Sequence, residues 1–443
     1  MTATLVVRAR RALVGDELRP ATVVVRDGVV AAVAPLDARL APDVELAPDE
    51  VLLPGLVDTH VHVDEPGRTE WEGFETATAA ALAAGVTTLV DMPLNSLPPT
   101  LTADALAAKR RAAAGRCRVD VGFWGGVTPD SLGALPDLLD AGVPGVKCFL
   151  SDSGVPEFPP LSLADLERAA AIVASRSGLL LVHAEDPDLL ASAPAPRGPG
   201  YAAFVASRPA AAEATAIENV VAAAGRTGCR VHVVHVSSAA GAGVVRAAKA
   251  AGVAVTAETC PHYLFFAAEK IPDGAPLFKC CPPIRGRADQ DALWAALLDG
   301  TLDAVVSDHS PAPPELKELV TGDLGRAWGG IASLQFAFAA TLTAAAERGV
   351  PTARVVRWMA SAPADLAGLR AKGRIAPGAD ADLVVLAPDE TFVVRPDLVR
   401  HRHPLTPYEG RRLRGVVRRV WLRGAEPGSE VSTGRLLGAT DQR

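Results

Sequence analysis

The sequence predicts an α/β protein: a (β/α)8 TIM-type barrel with a small β-sandwich domain built from both ends of the chain. Three observations favour this fold class. Eight apolar, β-branched runs alternate with Ala/Leu-rich helical stretches through the middle of the chain. Short β-like runs without helices occupy both ends, and no glycine-rich phosphate-binding turn follows a strand.

The eight central runs extend over about 250 residues, the usual length of a (β/α)8 barrel. We expect strands at 56–62, 87–92, 118–124, 145–149, 179–183, 230–235, 254–258 and 303–307. A doubly wound open sheet is the alternative. It would usually have fewer βα units and a G-x-G-x-x-G turn after a strand, which this sequence lacks.

The two ends of the chain are predicted to meet in one small β domain. Runs at 4–7, 21–25, 29–33 and 44–46 open the sequence, and β-like runs return at 381–386, 391–394 and 416–422. The expected division is therefore 1–53 for the first part of the β domain, 54–376 for the barrel, and 377–443 for the second part and the tail.

Composition excludes several classes of function. The chain has 443 residues, of which 49% are hydrophobic and 21% charged, so it can bury a large core. A net charge of −7 argues against nucleic-acid and acidic-membrane partners. No apolar run reaches the roughly 18 residues of a transmembrane helix, and we see no secretory signal. Six cysteines without a C-x-x-C pair are typical of free thiols in a reducing cytoplasm, where we expect the protein to reside.

His60 and His62 end the first central run, in the sequence DTHVH. Residues two apart on a strand face the same side, so both imidazoles are expected at the C-terminal rim of the barrel, where such barrels keep their active sites. By itself H-x-H is short and frequent, and a pair of exposed or core histidines is the simpler interpretation.

Lys147 lies inside the apolar run 145–149. A buried unpaired lysine is costly because its ammonium group loses water. Carbamylation by CO2 would convert the side chain into a carboxylate that can bridge two cations. A lysine that extends its amine to the surface is the alternative.

Three further candidates stand at the ends of runs. His183 ends the fifth run and Asp308 follows the eighth. His232 and His235 are three apart on the sixth run, so only one of them can face inward. His235 is nearer the C-terminal end and is the predicted ligand, while His232 is expected to be structural.

Each of these residues is weak evidence alone, but strands one, four, five, six and eight all present a ligand-type group at the same end. The sequence therefore predicts a metal site. Ligands of nitrogen and oxygen without thiolate suit zinc, and also cobalt, iron, nickel or manganese. The predicted ligands are His60, His62, Lys147, His183, His235 and Asp308.

This set of residues resembles the amidohydrolase superfamily, in its binuclear subtype with a carbamylated lysine. The resemblance covers nearly the whole chain: residues 54–58 (PGLVD) and 373–384 (GRIAPGADADLV) are similar to that group's entry to and exit from the barrel. It implies two divalent metal ions, zinc in the first place, a CO2-derived carbamate on Lys147, and a homotetramer.

Several segments resemble the allantoinases, within the branch that also contains dihydroorotases and hydantoinases (dihydropyrimidinases). Residues 65–74 read EPGRTEWEGF, similar to the signature E-P-G-R-x-x-W-E-G-[FY], and 91–95, 279–285, 307–311 and 327–331 are also similar. Dihydroorotases carry an arginine two residues after H-x-H that binds a substrate carboxylate. Asp64 stands there instead, and would repel a carboxylate.

The resemblance implies hydrolysis of a cyclic amide, with allantoin opened to allantoate as the expected reaction and Asp308 as general base and then acid. The alternatives are a hydantoinase or dihydropyrimidinase acting on another cyclic amide and, more distantly, a non-catalytic scaffold that kept the barrel. Cys281 departs from the serine that relatives often have before Pro-Pro. The implied substrate contacts are Asn95, Cys281, Ser310 and Gly330.

Overall fold

The computed structural model describes residues 4–428 and 433–441. The strands are β1 (Thr4–Val14), β2 (Glu17–Arg26), β3 (Val29–Ala34), β4 (Val44–Glu45), β5 (Val51–Pro54), β6 (Leu56–Val61), β7 (Val86–Asp91), β8 (Asp120–Phe123), β9 (Gly125–Gly126), β10 (Val146–Phe149), β11 (Leu179–His183), β12 (Arg230–Val233), β13 (Val255–Thr259), β14 (Ala304–Val305), β15 (Leu383–Val393) and β16 (Arg412–Trp421).

The helices pack mainly around the barrel strands. They are α1 (Phe74–Ala83), α2 (Ala103–Ala113), α3 (Leu135–Asp140), α4 (Leu163–Ser175), α5 (Pro187–Ser192), α6 (Tyr201–Ala206), α7 (Ala210–Thr227), α8 (Ala239–Ala250), α9 (Pro261–Phe265), α10 (Arg287–Leu298), α11 (Leu334–Glu347), α12 (Thr352–Met359) and α13 (Ser361–Leu366). Serine or threonine caps begin three of the longer ones, as at Thr102, whose hydroxyl accepts from the Ala105 N–H. Across residues 4–428 and 433–441, none of the helices has the length and hydrophobicity that crossing a bilayer requires.

Strands β6 to β14 form the predicted (β/α)8 barrel, which is confirmed. The strands pair in parallel in chain order, and β8 and β9 together make the third strand, since β8 pairs with β7 and β9 with β10. The barrel closes where Val61 pairs with His309 and the His62 N–H donates to the His309 carbonyl at 2.8 Å. All six residues of β6 are buried, as expected for a parallel strand covered on both faces.

Both ends of the chain contribute to one seven-stranded sheet, which confirms the predicted small β domain. Its order is β16-β15-β5-β1-β2-β3, with β4 paired to β1. Strand β5, which the sequence patterns did not predict, lies between β1 and β15 and joins the N-terminal strands to the C-terminal ones. One face of the sheet has its own apolar core, and the other packs on the barrel through residues such as Leu386 and Leu413.

The C-terminal segment returns to the barrel after β16. The Val121 N–H donates to the Arg435 carbonyl at 2.9 Å, and the Leu437 N–H donates to the Val121 carbonyl at 2.8 Å, so this segment lies along β8. The division into 1–53, 54–376 and 377–443 stays a prediction.

A buried ionic cluster joins the barrel to the small domain. The Lys372 ammonium lies 2.5 Å from Asp120 on β8, 2.7 Å from Asp380 and 2.8 Å from Asp382, just before β15. Although burial acts the other way, these carboxylates raise the pKa of Lys372 above its usual range. Arg423 lies 2.6 Å from Asp120 and supplies a second cation.

We expect Lys372→Met to destabilise the fold by about 3–5 kcal/mol, because it leaves buried carboxylates without their cation. Denaturant unfolding followed by circular dichroism measures this loss. The control is Arg226→Met, which breaks a half-exposed ion pair with Glu167 and should cost less than about 1 kcal/mol. Equal losses in the two variants would contradict the assigned role of Lys372.

Candidate metal centre

A cavity of about 660 Å³ opens at the C-terminal rim of the barrel. The structure brings all six predicted metal ligands together on its wall. This is the end of a (β/α)8 barrel where active sites are found. The predicted ligands on this wall are His60, His62, Lys147, His183, His235 and Asp308.

Strands position three of these residues, and turns position the others. His60, Lys147 and His183 lie on β6, β10 and β11. His62 follows β6 by one residue. His235 and Asp308 lie beyond the ends of their strands, in the left-handed backbone region with φ of 40° and 45°.

The prediction that His235 rather than His232 faces the cavity agrees with this arrangement, but the argument from strand alternation was wrong. Strand β12 ends at Val233, so His235 is aimed by the turn that follows. His232 is fully buried behind the site, with Nδ1 2.8 Å from Thr256 Oγ1.

The rings of His60 and His62 present Nε2 toward the centre of the site. His60 Nδ1 lies 2.6 Å from Glu258 Oε1, which leaves Nε2 3.4 Å from Asp308 Oδ1. His62 Nδ1 lies 3.4 Å from the Asn95 amide nitrogen, and its Nε2 is 3.7 Å from Asp308 Oδ1. Glu258 accepts from the Nδ1–H of His60, which fixes the tautomer of that ring and leaves its Nε2 unprotonated as a ligand.

His183 has the opposite orientation. Its Nε2 lies 2.8 Å from Glu185 Oε2, and its Nδ1 lies 3.1 Å from His235 Nε2. The Phe149 ring stacks on the His183 imidazole with centroids 4.6 Å apart. Arg208 donates to both carboxylate oxygens of Glu185, so His183, Glu185 and Arg208 form one continuous set of contacts.

Burial keeps the four imidazoles neutral. It lowers the pKa of His60 to about 4, and the nearby Lys147 amine acts in the same direction. Burial also lowers the pKa values of His62, His183 and His235 below their ordinary range. At pH 7 each ring is therefore in the form that binds a metal ion.

Burial also shifts the pKa values of the other two predicted ligands toward neutral pH. It raises the pKa of Asp308 to about 8, with Lys147 opposing. It lowers the pKa of Lys147 to about 8, with Asp308 and Glu258 opposing. Both groups can therefore change protonation near physiological pH.

The donor set fits a divalent metal ion. Ligand atoms of His60, His235 and Asp308 lie within 4.8 Å of one another. The 3.1 Å between His183 Nδ1 and His235 Nε2 is close to the roughly 3.3 Å that separates two nitrogens on one tetrahedral zinc ion.

Sequence reasoning missed the two carboxylates behind the histidines. Glu258 and Glu185 are buried, and although burial acts the other way, their histidine and arginine neighbours lower the pKa of each to about 2. A signal was present in the sequence: Glu185 comes two residues after His183, and Glu258 lies at the end of the seventh run, next to the same rim.

The four predicted substrate contacts have different surroundings. Asn95, Cys281 and Ser310 line the cavity, whereas Gly330 is not among its lining residues and its carbonyl accepts from Lys317 at 2.7 Å. A Cβ at Gly330 would lie 2.1 Å from the Ser310 carbonyl oxygen, so only glycine allows this approach. The Ser310 hydroxyl already donates to the Asp308 carbonyl and accepts from the Ile331 N–H.

Asp64, which was expected to repel a substrate carboxylate, lies away from the cavity. The residue is fully buried and does not line the cavity. Burial, reinforced by Asp91, raises the pKa of Asp64 well above its usual range. The position two residues after H-x-H still lacks the arginine that dihydroorotases carry there.

Comparisons with known proteins identify the family of the chain. Residues 51–426 match the model of the amidohydrolase family. The allantoinase of Streptomyces avermitilis is 55% identical over 95% of this chain and 94% of its own length. The allantoinase of Saccharomyces cerevisiae is 45% identical over 84% of this chain and 82% of its own.

Solved structures of related enzymes have the same fold. The L-hydantoinase (dihydropyrimidinase) from Arthrobacter aurescens superposes with a TM-score of 0.91 and 29% identity, covering 98% of this chain and 99% of that one. The dihydropyrimidinase from Brevibacillus agri has a TM-score of 0.85 and 27% identity, covering 99% and 97%.

We expect Glu258→Gln to weaken metal binding about 10- to 100-fold, because the charge that orients His60 and strengthens it as a ligand is lost. Zinc affinity measured by competition with a chromophoric chelator reports this change. Glu167→Gln, on the surface, should leave the affinity unchanged. An unaltered affinity in Glu258→Gln would mean that His60 does not bind the ion through the nitrogen opposite Glu258.

Proposed function

The chain belongs to the amidohydrolase family, and from that premise we propose that it hydrolyses the ring amide of allantoin to give allantoate. One observation carries the proposal: six potential metal ligands from five barrel strands meet on the wall of one cavity, at the rim where hydrolysis can occur. The high identity to allantoinases over most of the chain supports allantoin as the substrate.

Membership of this family implies a binuclear metal centre. His60, His62 and Asp308 would hold one ion, His183 and His235 the other, and a carbamate on Lys147 would bridge the two. Zinc is our first choice, since the donors are nitrogen and oxygen. When bound, such ions lower the pKa of water toward roughly 7 and polarise a carbonyl oxygen.

Asp308 is suited to move the proton. In the reaction, the oxygen of water bonds to the ring carbonyl carbon, the C–N bond breaks, and the ring nitrogen gains a proton. Asp308 would take that proton from water and return it to the nitrogen. Its carboxyl group lies on the cavity wall beside the other ligands, within reach of both transfers.

Asn95 and the backbone around Cys281, Ser310 and Gly330 would orient the substrate. Their support is position: three of the four line the cavity beside the ligands. The product carries a new carboxylate, and Lys279 on the same wall favours a negative charge there, whereas Arg208 is already paired with Glu185.

Two further proposals concern the whole protein. We place it in the cytoplasm, supported by six free cysteines, which suit a reducing compartment. A homotetramer is the assembly that the resemblance implies, and it stays a prediction. No nucleic-acid or membrane partner is expected.

Purified protein supplied with zinc and bicarbonate should convert allantoin to allantoate, measured by chromatography of the product. We expect Asp308→Ala to lower kcat roughly 10²–10⁴-fold because the proton carrier is lost, and Lys147→Ala to lose activity with the bridge. Asp140→Asn, on the surface, should match the parent. Turnover of hydantoin or dihydrouracil without allantoin would move the assignment to a hydantoinase, and a protein that holds no metal would favour the non-catalytic scaffold.

Carbamylation requires the neutral amine, so burial of Lys147 should make it reactive near neutral pH. With its pKa lowered to about 8, the neutral fraction rises about tenfold per pH unit below 8 and levels off above it. At constant dissolved CO2, the rate of carbamate formation in metal-free protein should follow this curve, measured by NMR with ¹³C-bicarbonate. Lys147→Met should lack the signal, and a rate still climbing at pH 10 would refute the lowered pKa.

A further inference from the structure

A second group of metal-type ligands lies directly behind the proposed centre. One ligand atom from each of Cys260, His262 and Asp308 lies within 4.8 Å of the others. All three residues are buried, and two of them belong to the short segment that follows β13. Neither Cys260 nor His262 lines the substrate cavity, so this group reaches the cavity only through Asp308.

His262 is the observation that points to a ligand. Its side chain is fully buried, and neither ring nitrogen has a hydrogen-bond partner in residues 4–428 or 433–441. A buried imidazole normally pairs at least one nitrogen, since an unmade hydrogen bond costs free energy. His232, equally buried, lies 2.8 Å from Thr256 and 3.0 Å from Glu258.

Another cluster of metal-type ligands shows the contrast. The carboxylates of Asp120, Asp380 and Asp382 also lie close together, but Lys372 contacts all three and Arg423 contacts Asp120. Protein cations already occupy that cluster. In the described part of the chain, the ion pairs of Asp308 are with His60 and His62, and the charge of the Lys147 amine also acts on it.

We propose that Cys260, His262 and Asp308 form a binding site for a thiophilic divalent cation of the zinc and cadmium class. The thiol loses its proton to water as the sulfur–metal bond forms, so one thiolate and one carboxylate balance the charge of the ion. Thiolate and imidazole together select such ions over calcium and magnesium. In a tetrahedral site the ligand atoms lie roughly 3.3–3.8 Å apart, so these atoms need to approach by about 1 Å.

Occupation of this site would inhibit hydrolysis, and this consequence rests on the proposed function. An ion held by Asp308 from behind engages the carboxylate that is needed as proton acceptor. The ions of the proposed centre would stay bound through their other ligands. The expected inhibition therefore occurs without loss of zinc.

Cadmium is the probe, added to zinc-loaded protein. We expect an ultraviolet sulfur-to-cadmium charge-transfer band, one extra metal per chain by elemental analysis, and unchanged zinc. None of the six ligands of the proposed centre is a thiolate, so cadmium there gives no such band. Cys260→Ser should abolish the band. Cys281→Ser, which removes the thiol that lines the cavity, should retain it.

His262→Gln gives an independent test, since it keeps the thiol and removes the imidazole. It should weaken cadmium binding about tenfold or more, with the zinc content and unfolding midpoint of the parent. The proposal is overturned if the charge-transfer band survives Cys260→Ser or disappears with Cys281→Ser. It is also overturned if one zinc ion is released for each cadmium ion bound. These measurements do not depend on turnover, so they test the cadmium site even if the protein does not hydrolyse allantoin.

Discussion

Closure of the eight-stranded barrel forces polar side chains into a region that water scarcely reaches. His60, Lys147 and His183 are on strands with both faces covered, and each would lose free energy there without a partner. Glu258 and Glu185 supply the partners for the two histidines. The same burial lowers the pKa values of the imidazoles and of the Lys147 amine. The chemistry proposed for the rim therefore follows from the geometry of closure.

The backbone at the rim is shaped for function at a cost in strain. His235, Asp308 and Asn95 all have positive φ, which is unfavourable for residues with a Cβ. Hydrogen bonds on both sides hold Asp308 in place: the Ser307 N–H donates to Asp58, and the Ser310 N–H donates to the Ile331 carbonyl at 2.9 Å. Such over-determined turns let a carboxylate face the cavity at a point where a regular strand would aim it elsewhere.

Periodicity and spacing predicted the barrel because a parallel strand buried on both faces leaves a continuous apolar run. They also predicted that the six rim residues lie close together, since all strands of such a barrel end at one rim. Glu258 and Glu185 were missed because their positions in the sequence place them near the rim but do not show how the histidine rings are oriented toward them. The misreading of Asp64 has a similar cause: a position two residues past H-x-H does not fix whether a side chain faces the cavity or the core.

The two carboxylates behind the histidines divide the site into unlike halves. Glu258 contacts His60 and has His232 on its other side, deep in the barrel, where no substrate reaches. Glu185 contacts His183 and is held by Arg208, which lines the cavity. A charged group in the cavity can therefore act on His183 through Arg208 and Glu185 as well as directly, whereas it meets the His60 ring directly. A second buried histidine stands behind the half built on β6, and an arginine that lines the cavity stands behind the half built on β11.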